Sequence, residues 1–375
     1  MKNNKIDWKN VMKIMGAFVA FQIGAGFATG QEVVQYYASF GGWYWLILPI
    51  LVFIVTALYS MTSFKAGLNE QFADPNMVYD YYCGDKFGKI INIITNVTIA
   101  GATLVMFSGA GSTISQYFGV SQWVGAVLMG VIAAVIVCLG LEGVTDALGG
   151  MGVIIIAALV FIGIYSMCVA DTGIMESSKN MLKYVDEGVF LQMQSFGLHN
   201  PFLSALSLLG LAYALIITFN VTLGQRCQNK KTCYVAAIVS SFFYFCGIMF
   251  TIIPILLNLD DVVKNGAAVP MLGVVKTILP VFALPYAAII VIGILSSVTG
   301  YLWVVGRRVG EDKSARQRIV VIIIAAIGST VASFIPLGKL MNILYPIVGY
   351  AGTLLLILAV VKEVRLYMNK KKVSK

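Results

Sequence analysis

Gly24, Gly26, Gly30 and Glu32 lie together in the stretch Phe21-Gln-Ile-Gly-Ala-Gly-Phe-Ala-Thr-Gly-Gln-Glu32. They sit inside one apolar run, from about residue 11 to residue 40. Each glycine costs a helix about 1 kcal/mol against alanine, so three so close together mark a place where the helix can open. In lipid, an opened helix persists only where its freed N–H and C=O groups face protein or water. A break of this kind near the bilayer midplane points to a binding site.

Glu32 adds a charge to that place. No Lys, Arg or His falls deep in any predicted span, and a lone ionised carboxylate at such depth is costly. Three readings are open: Glu32 carries a proton; it faces water and meets a cationic substrate, Na⁺ or H⁺; or it reaches an outer lysine such as Lys339 or Lys276. Gln22, Gln31, Gln35 and Asn220 either line a cavity or bridge helices. Tyr244, Tyr345 and Tyr350 are either aromatic gates or interfacial anchors. Glu142 and Asp146 fall in a short inner loop, as solvated charges or as part of an inner gate.

The elements that must position these residues are membrane spans. Of 375 residues, 59% are hydrophobic and 11% charged, where a soluble domain carries about 25% charged; the mean hydropathy is +0.87. Runs of roughly 20 apolar residues can cross the hydrocarbon. Ten such runs occur, at about 11–39, 42–64, 87–117, 122–140, 146–170, 201–226, 232–257, 280–306, 318–336 and 340–362. With the N-terminus inside, 21 of the 26 Lys and Arg residues fall in inner segments. That positive-inside bias puts both termini in the cytoplasm and the chain in the plasma membrane, with the lipid bilayer as its surroundings.

The expected fold class is therefore an all-α membrane protein of ten transmembrane helices forming a single domain, 1–375. A basic tail at 369–375 is expected to be disordered. The layout repeats: five spans from about 11–170, then five from 201–362. An odd number per half turns the second half upside down relative to the first. Span six carries a weaker candidate break at Leu209-Gly-Leu-Ala-Tyr213, matching the Gly24–Gly26 break in span one. The prediction is a 5+5 inverted repeat with helices one and six broken. The longest outer connection, 171–200, is expected to form a surface helix.

Other classes find little support in the chain. The net charge of +9 is spread over short loops and tails and does not suggest nucleic acid. Six unpatterned cysteines and one loop histidine, His199, offer neither a disulfide framework nor a metal motif. No nucleophile–base pair argues for an enzyme. Nothing demands an obligatory protein partner. A ligand sensor on the same scaffold stays open, as does a channel.

The glycine stretch carries a resemblance. Ile23-Gly-Ala-Gly-Phe27 resembles the first-helix signature of the amino acid–polyamine–organocation superfamily, which has the LeuT-type fold. The longer string Gly24-Ala-Gly-Phe-Ala-Thr-Gly-Gln-Glu32 is most similar to the YkvI-type bacterial membrane proteins within it. The resemblance implies a cation-coupled transporter of a small amino acid, amine or related zwitterion. In Na⁺-coupled members one cation sits between carbonyls of helix one and a carbonyl plus two hydroxyls of helix eight. The matching positions here are Ala20 and Ile23, then Gly293, Ser296 and Ser297; the two serines could equally bond back to their own helix. In some proton-coupled members a lysine on helix five replaces the cation, and helix five has none here, which tilts the reading toward Na⁺. The substrate would lie between the two breaks. Free amides of Gly24, Ala25 and Gly26 suit a carboxylate, with Gly210, Ala212 and Tyr213 forming the opposite wall. Glu32 departs from the superfamily's amino-acid transporters and leaves H⁺ coupling as the alternative.

Overall fold

The computed structural model describes residues 5–22, 25–140, 151–194, 198–307, 309–311 and 313–373. Every regular element among them is helical. The first apolar run is divided into α1 (Trp8–Gln22), α2 (Ala25–Thr29) and α3 (Gln31–Tyr36). Then follow α4 (Tyr44–Glu70), α5 (Met77–Cys83), α6 (Asp85–Phe118), α7 (Gln122–Leu139), α8 (Met151–Val169) and α9 (Ile174–Asp186). The second half holds α10 (Pro201–Gln225), α11 (Lys230–Leu257), α12 (Leu259–Asn265), α13 (Pro270–Ile278), α14 (Ala283–Arg307), α15 (Ala315–Phe334) and α16 (Leu337–Val373).

Eight helices among the described residues are long and apolar enough to cross a membrane. A ninth span would count α8 together with α9, which bends away from it by 106°. The outward faces confirm the solvent. Val131 and Val135 of α7, Ile323 and Ile327 of α15, and Ile347 of α16 are exposed side chains, a pattern that suits hydrocarbon and not water. This is a multi-pass membrane protein. The 171–200 connection does hold a helix, α9.

Starts and stops follow local chemistry. Pro201 opens α10, and the Asn200 side chain accepts from the amides of Phe202 and Leu203 at 3.0 and 3.1 Å, closing orphan donors that every helix start leaves. Asn229 caps α11 in the same way through Thr232 N. At the other end of the chain, α16 continues as helix through Val373, where the sequence suggested a disordered tail at 369–375. Its last turns, Val364-Arg-Leu-Tyr-Met-Asn-Lys-Lys-Lys-Val373, are largely good helix formers and extend a helix already nucleated in the bundle; residues 374–375 lie outside the described ones.

Helix packing forms two sets. In one, α1 packs on α11, α4 on α10, and α4 on α11. In the other, α6 packs on α14, α7 on α15, and α6 on α7. The closest approach is α10 against α16. A Cβ at Gly210 would lie 1.9 Å from the Gly349 carbonyl oxygen, and one at Gly352 would lie 1.9 Å from the Gly210 oxygen. The opposite face of α10 meets α4 as tightly, with Gly67 against the Val221 carbonyl and Gly224 against that of Phe64.

These contacts correct the expected break in span six. The helix α10 runs unbroken from Pro201 to Gln225. Gly210 is there because two backbones touch, the small-residue packing that membrane helices use. Tyr213 is fully buried with its ring 4.9 Å from that of Tyr59. Among the described residues, the first segment is the one predicted span that is interrupted, at Gly30.

Candidate functional site

Ile23 and Gly24, between α1 and α2, lie outside the described residues, so the break expected at Gly24–Gly26 is not placed. The interruption described in the first segment is at Gly30, whose φ of +78° is a left-handed conformation that glycine adopts freely. A Cβ there would meet Ile255 Cδ1 at 2.8 Å and Met271 Cγ at 2.9 Å. Just before Gly30, α2 is pinned by side chains. Thr29 Oγ1 donates to the Gly26 carbonyl at 2.7 Å, and Tyr286 of α14 donates to the Ala28 carbonyl at 2.7 Å. Gly30→Ala is expected to lower the apparent melting temperature of the purified protein, since a left-handed alanine alone costs about 1–3 kcal/mol before any clash. An unchanged melting curve would contradict this geometry.

The first segment borders a central cavity. It is lined by Gln22, Gly26, Phe27 and Glu32 of the first segment, Ala102 and Met106 of α6, Ala212 and Leu215 of α10, Tyr244 of α11, Ser297 and Tyr301 of α14, and Tyr345 of α16. Its free space of about 60 Å³ corresponds to ~5 water molecules. The Glu32 carboxylate lies over Gly26, with Oε2 2.4 Å from where a Gly26 Cβ would be. Gln22 Nε2 is held by the Tyr59 hydroxyl at 3.1 Å.

Of the three readings for Glu32, the outer lysine fails. Among the described residues Glu32 makes no ion pair. Lys276 instead donates to the Gln116 carbonyl and lies over the Tyr117 ring. No lysine, arginine or histidine lines the cavity. Glu32 is the sole Asp, Glu, Lys, Arg or His among the cavity-lining residues.

A wider vestibule of about 450 Å³ adjoins the cavity. Phe21, Leu215, Ser297 and Tyr301 line both. Phe21 stacks on Phe219 with centroids 4.8 Å apart and planes 15° apart, and so forms the neck between them. The vestibule reaches Pro75, Asn76 and Tyr79 near α5, and Thr218 and Thr222 near the end of α10. This is the end of the bundle where the cations gather, with Arg226, Lys230, Lys231 and Arg307 at the helix termini.

The opposite end is laced shut one turn beyond Glu32. Gln35 Nε2 donates to the Gly338 carbonyl at 2.9 Å and to Asn342 Oδ1 at 3.2 Å. Asn342 Nδ2 donates to Gln192 O at 3.0 Å, and Gln192 Nε2 donates to Ser39 O at 2.7 Å. The Met193 amide donates to the Gln35 carbonyl at 3.1 Å. A further clasp joins α6 to the stretch before α13, where Gln116 exchanges two bonds with the backbone of Val269 at 2.9 and 2.8 Å.

Several residues named from the sequence thus meet at one place: Gly26, Glu32, Ala212 and Ser297, with Gln22, Tyr244 and Tyr345, which were open between roles. Gly210 and Tyr213 do not line the cavity; they are packing residues of α10. Glu142 and Asp146 lie outside the described residues. Sequence reasoning missed Tyr301 and the Phe21–Phe219 neck. Tyr301 was findable, because it follows Ser297 by four residues and so shares its helical face.

The five positions matched to a sodium site are partly gathered. Ala20, Ser296 and Ser297 line the vestibule together. Ser297 Oγ, however, donates back to the Gly293 carbonyl at 3.2 Å, and a Cβ at Gly293 would point at Ile155. The donors are all oxygens of the kind a hard cation takes. Among the described residues no cluster of His, Cys, Asp and Glu could hold a metal ion.

A helical bundle with one segment interrupted near a buried carboxylate, open at one end and laced at the other, is a polytopic membrane fold. The comparisons with known proteins bear on that fold. The uncharacterised membrane protein YkvI of Bacillus subtilis (strain 168) is 27% identical over 348 residues, 89% of this chain and 91% of its own. A second B. subtilis protein, uncharacterised YyaD, is 30% identical over 142 residues, 38% of this chain and 39% of that one. No protein-family model matches the chain. Among solved structures, that of a manganese transporter from Eremococcus coleocola superposes with a TM-score of 0.53 at 14% identity, covering 96% of this chain and 79% of that one. The chain shares its fold with that membrane transporter; none of these three proteins is named as an enzyme.

Proposed function

We propose that this chain is a cation-coupled secondary transporter of a small amino acid, amine or related zwitterion, working by alternating access. The observation that carries the reading is the single central cavity holding Glu32, joined by a neck to a vestibule at one end and bonded shut at the other. With the cation-rich end taken as cytoplasmic, the conformation is inward-facing in the plasma membrane. Both termini are then inside, and the first segment and α8 complete ten spans with the eight long helices. The contact pattern supports a 5+5 inverted repeat. Exchange of the halves turns α1 on α11 into α10 on α4, and it maps the pairs α4–α11, α6–α14 and α7–α15 onto themselves.

Cation binding and substrate binding drive such a cycle only if each favours one conformation over the other. Na⁺ at Ala20, Ile23, Gly293, Ser296 and Ser297 is the first coupling scheme, and H⁺ at Glu32 the alternative. In an inward-facing state Ser297 is free to satisfy itself on Gly293, and Na⁺ would compete for that hydroxyl. The test is uptake of labelled amino acids and amines into proteoliposomes under an inward gradient of Na⁺ or of H⁺. Concentrative uptake under one gradient, collapsed by the matching ionophore, is the expected result. Saturable binding with no flux under either gradient would overturn the reading in favour of a membrane sensor.

A further inference from the structure

We infer that Glu32 is a built-in counter-ion and that the central cavity takes a small organic ammonium ion with no carboxylate of its own. The inference rests on the transporter reading only for what happens after binding; the binding chemistry stands by itself.

Three observations converge. The first is where the carboxylate lies. Glu32 folds back so that Oε2 covers Gly26, 2.4 Å from the position a Cβ would take. That spot, over Gly26 of α2, lies on the cavity wall. The protein's own carboxylate already fills it. A second anion brought there would meet a like charge in a region of low dielectric, where repulsion is strong.

The second is the absence of a partner. Among the described residues Glu32 makes no ion pair, and no cationic side chain lines the cavity. An α-amino acid would bring its own carboxylate into this wall with nothing basic to receive it. An ammonium ion would bring the one charge the site lacks.

The third is the rest of the wall. Phe27, Tyr244, Tyr301 and Tyr345 line the same cavity, and the rings of Phe27 and Tyr244 stand edge to face with centroids 5.4 Å apart. Aromatic faces attract organic cations, and more strongly once the cation is desolvated. Free space of about 60 Å³ admits a ligand of ~5 heavy atoms, scaled from the volume one water occupies. Ethylammonium and protonated ethanolamine fit that limit. An inorganic divalent ion fits less well, since it wants several oxygen ligands and Glu32 is the cavity's one carboxylate.

The test is a thermal-shift titration of the purified full chain with ethylammonium and with ethanolamine. Glycine, alanine and MnCl₂ are run beside them, each with and without NaCl at constant ionic strength. A ligand that binds the folded state raises its apparent stability. The amines are expected to shift the melting point saturably, and the amino acids are not. Glu32→Gln keeps the shape and removes the charge; it is expected to weaken amine binding roughly 100-fold, the scale of a hydrogen bond to a charged group. Its ligand-free melting curve shows that it folds, and Glu32→Asp is expected to retain part of the response. A shift by alanine without one by the amines, a Glu32-dependent shift by Mn²⁺ alone, an amine response unchanged in Glu32→Gln, or no response to any probe would each overturn the inference. Amine binding without uptake in proteoliposomes would sink the transporter reading and leave this inference intact. Gradient-driven uptake of alanine but not of amines would do the reverse.

Discussion

Gly210→Leu is expected to leave little folded protein in the membrane. The Gly349 carbonyl oxygen lies 1.9 Å, and the Thr353 amide 2.4 Å, from the position of a new Cβ. Both are backbone atoms of a packed helix, so neither can rotate away. The two helices would have to separate, undoing the Thr353 Oγ1 bond to the Leu206 carbonyl at 3.1 Å. Overpacking a core typically costs up to ~3 kcal/mol, and here it falls on backbone on both sides. That is a large share of a total stability of roughly 5–15 kcal/mol. The measurement is the yield of monodisperse protein by fluorescence-detected gel filtration, with the melting temperature of whatever survives. Gly16→Ala is the control, because nothing lies within 4 Å of its added Cβ; it is expected to be neutral or slightly stabilising. If the sixth span were instead broken at Gly210, a substitution there would be tolerated about as well as the control.

The second large effect is on the balance of conformations. Gln35→Leu removes the two bonds that tie α3 to α16, at 2.9 and 3.2 Å, while keeping nearly the same volume. It leaves the Gly338 carbonyl and the Asn342 side chain short of a donor. At ~1 kcal/mol for each bond, the laced end weakens by about 2 kcal/mol, a factor of ~30 in the ratio of the two conformations. The sign follows from which state makes the bonds: they exist when that end is shut, so their loss favours the state open there. Reagent access from that end is expected to rise in Gln35→Leu and access through the vestibule to fall. Equal accessibility in Gln35→Leu and the parent protein would show that the lacing does not decide the state.

How much of this was legible beforehand divides by physical cause. The long spans were readable because crossing hydrocarbon demands a run of apolar residues whatever the neighbours are. The weakness of the first segment was readable because Gly24, Gly26 and Gly30 crowd one helix, and Glu32 marked its polar side; the described interruption falls at Gly30, while the expected break at Gly24–Gly26 lies partly outside the described residues. The sixth span misled because a glycine in a membrane helix has two meanings, a break or a close approach, and only the partner's position tells them apart. The signal existed: Gly349, Gly352 and Thr353 form the small-residue face that Gly210 requires. The pairing of Glu32 could not be read either, since Lys276 and Lys339 are close to the outer surface in sequence terms but their reach depends on fold. Of the lacing residues Gln35 was named as a possible bridge, while Asn342 and Gln192 were not. The bonds they donate run to backbone carbonyls, which no residue type announces.

The claim that a single cavity is reached from one side at a time is tested most directly by paired thiol accessibility. In a chain with its six cysteines replaced, one cysteine is placed at Thr222, in the vestibule, or at the buried Ser39, which joins the lacing through its backbone carbonyl and so keeps that bond when its side chain is changed. Proteoliposomes of known orientation are then exposed to a membrane-impermeant maleimide from either face. Without ligand, Thr222→Cys should react rapidly from the cation-rich side and Ser39→Cys should be protected from both. Adding the Gln35→Leu change should reverse the two. Reaction of both positions in the same molecules, or of neither under any condition, would contradict alternating access through this cavity.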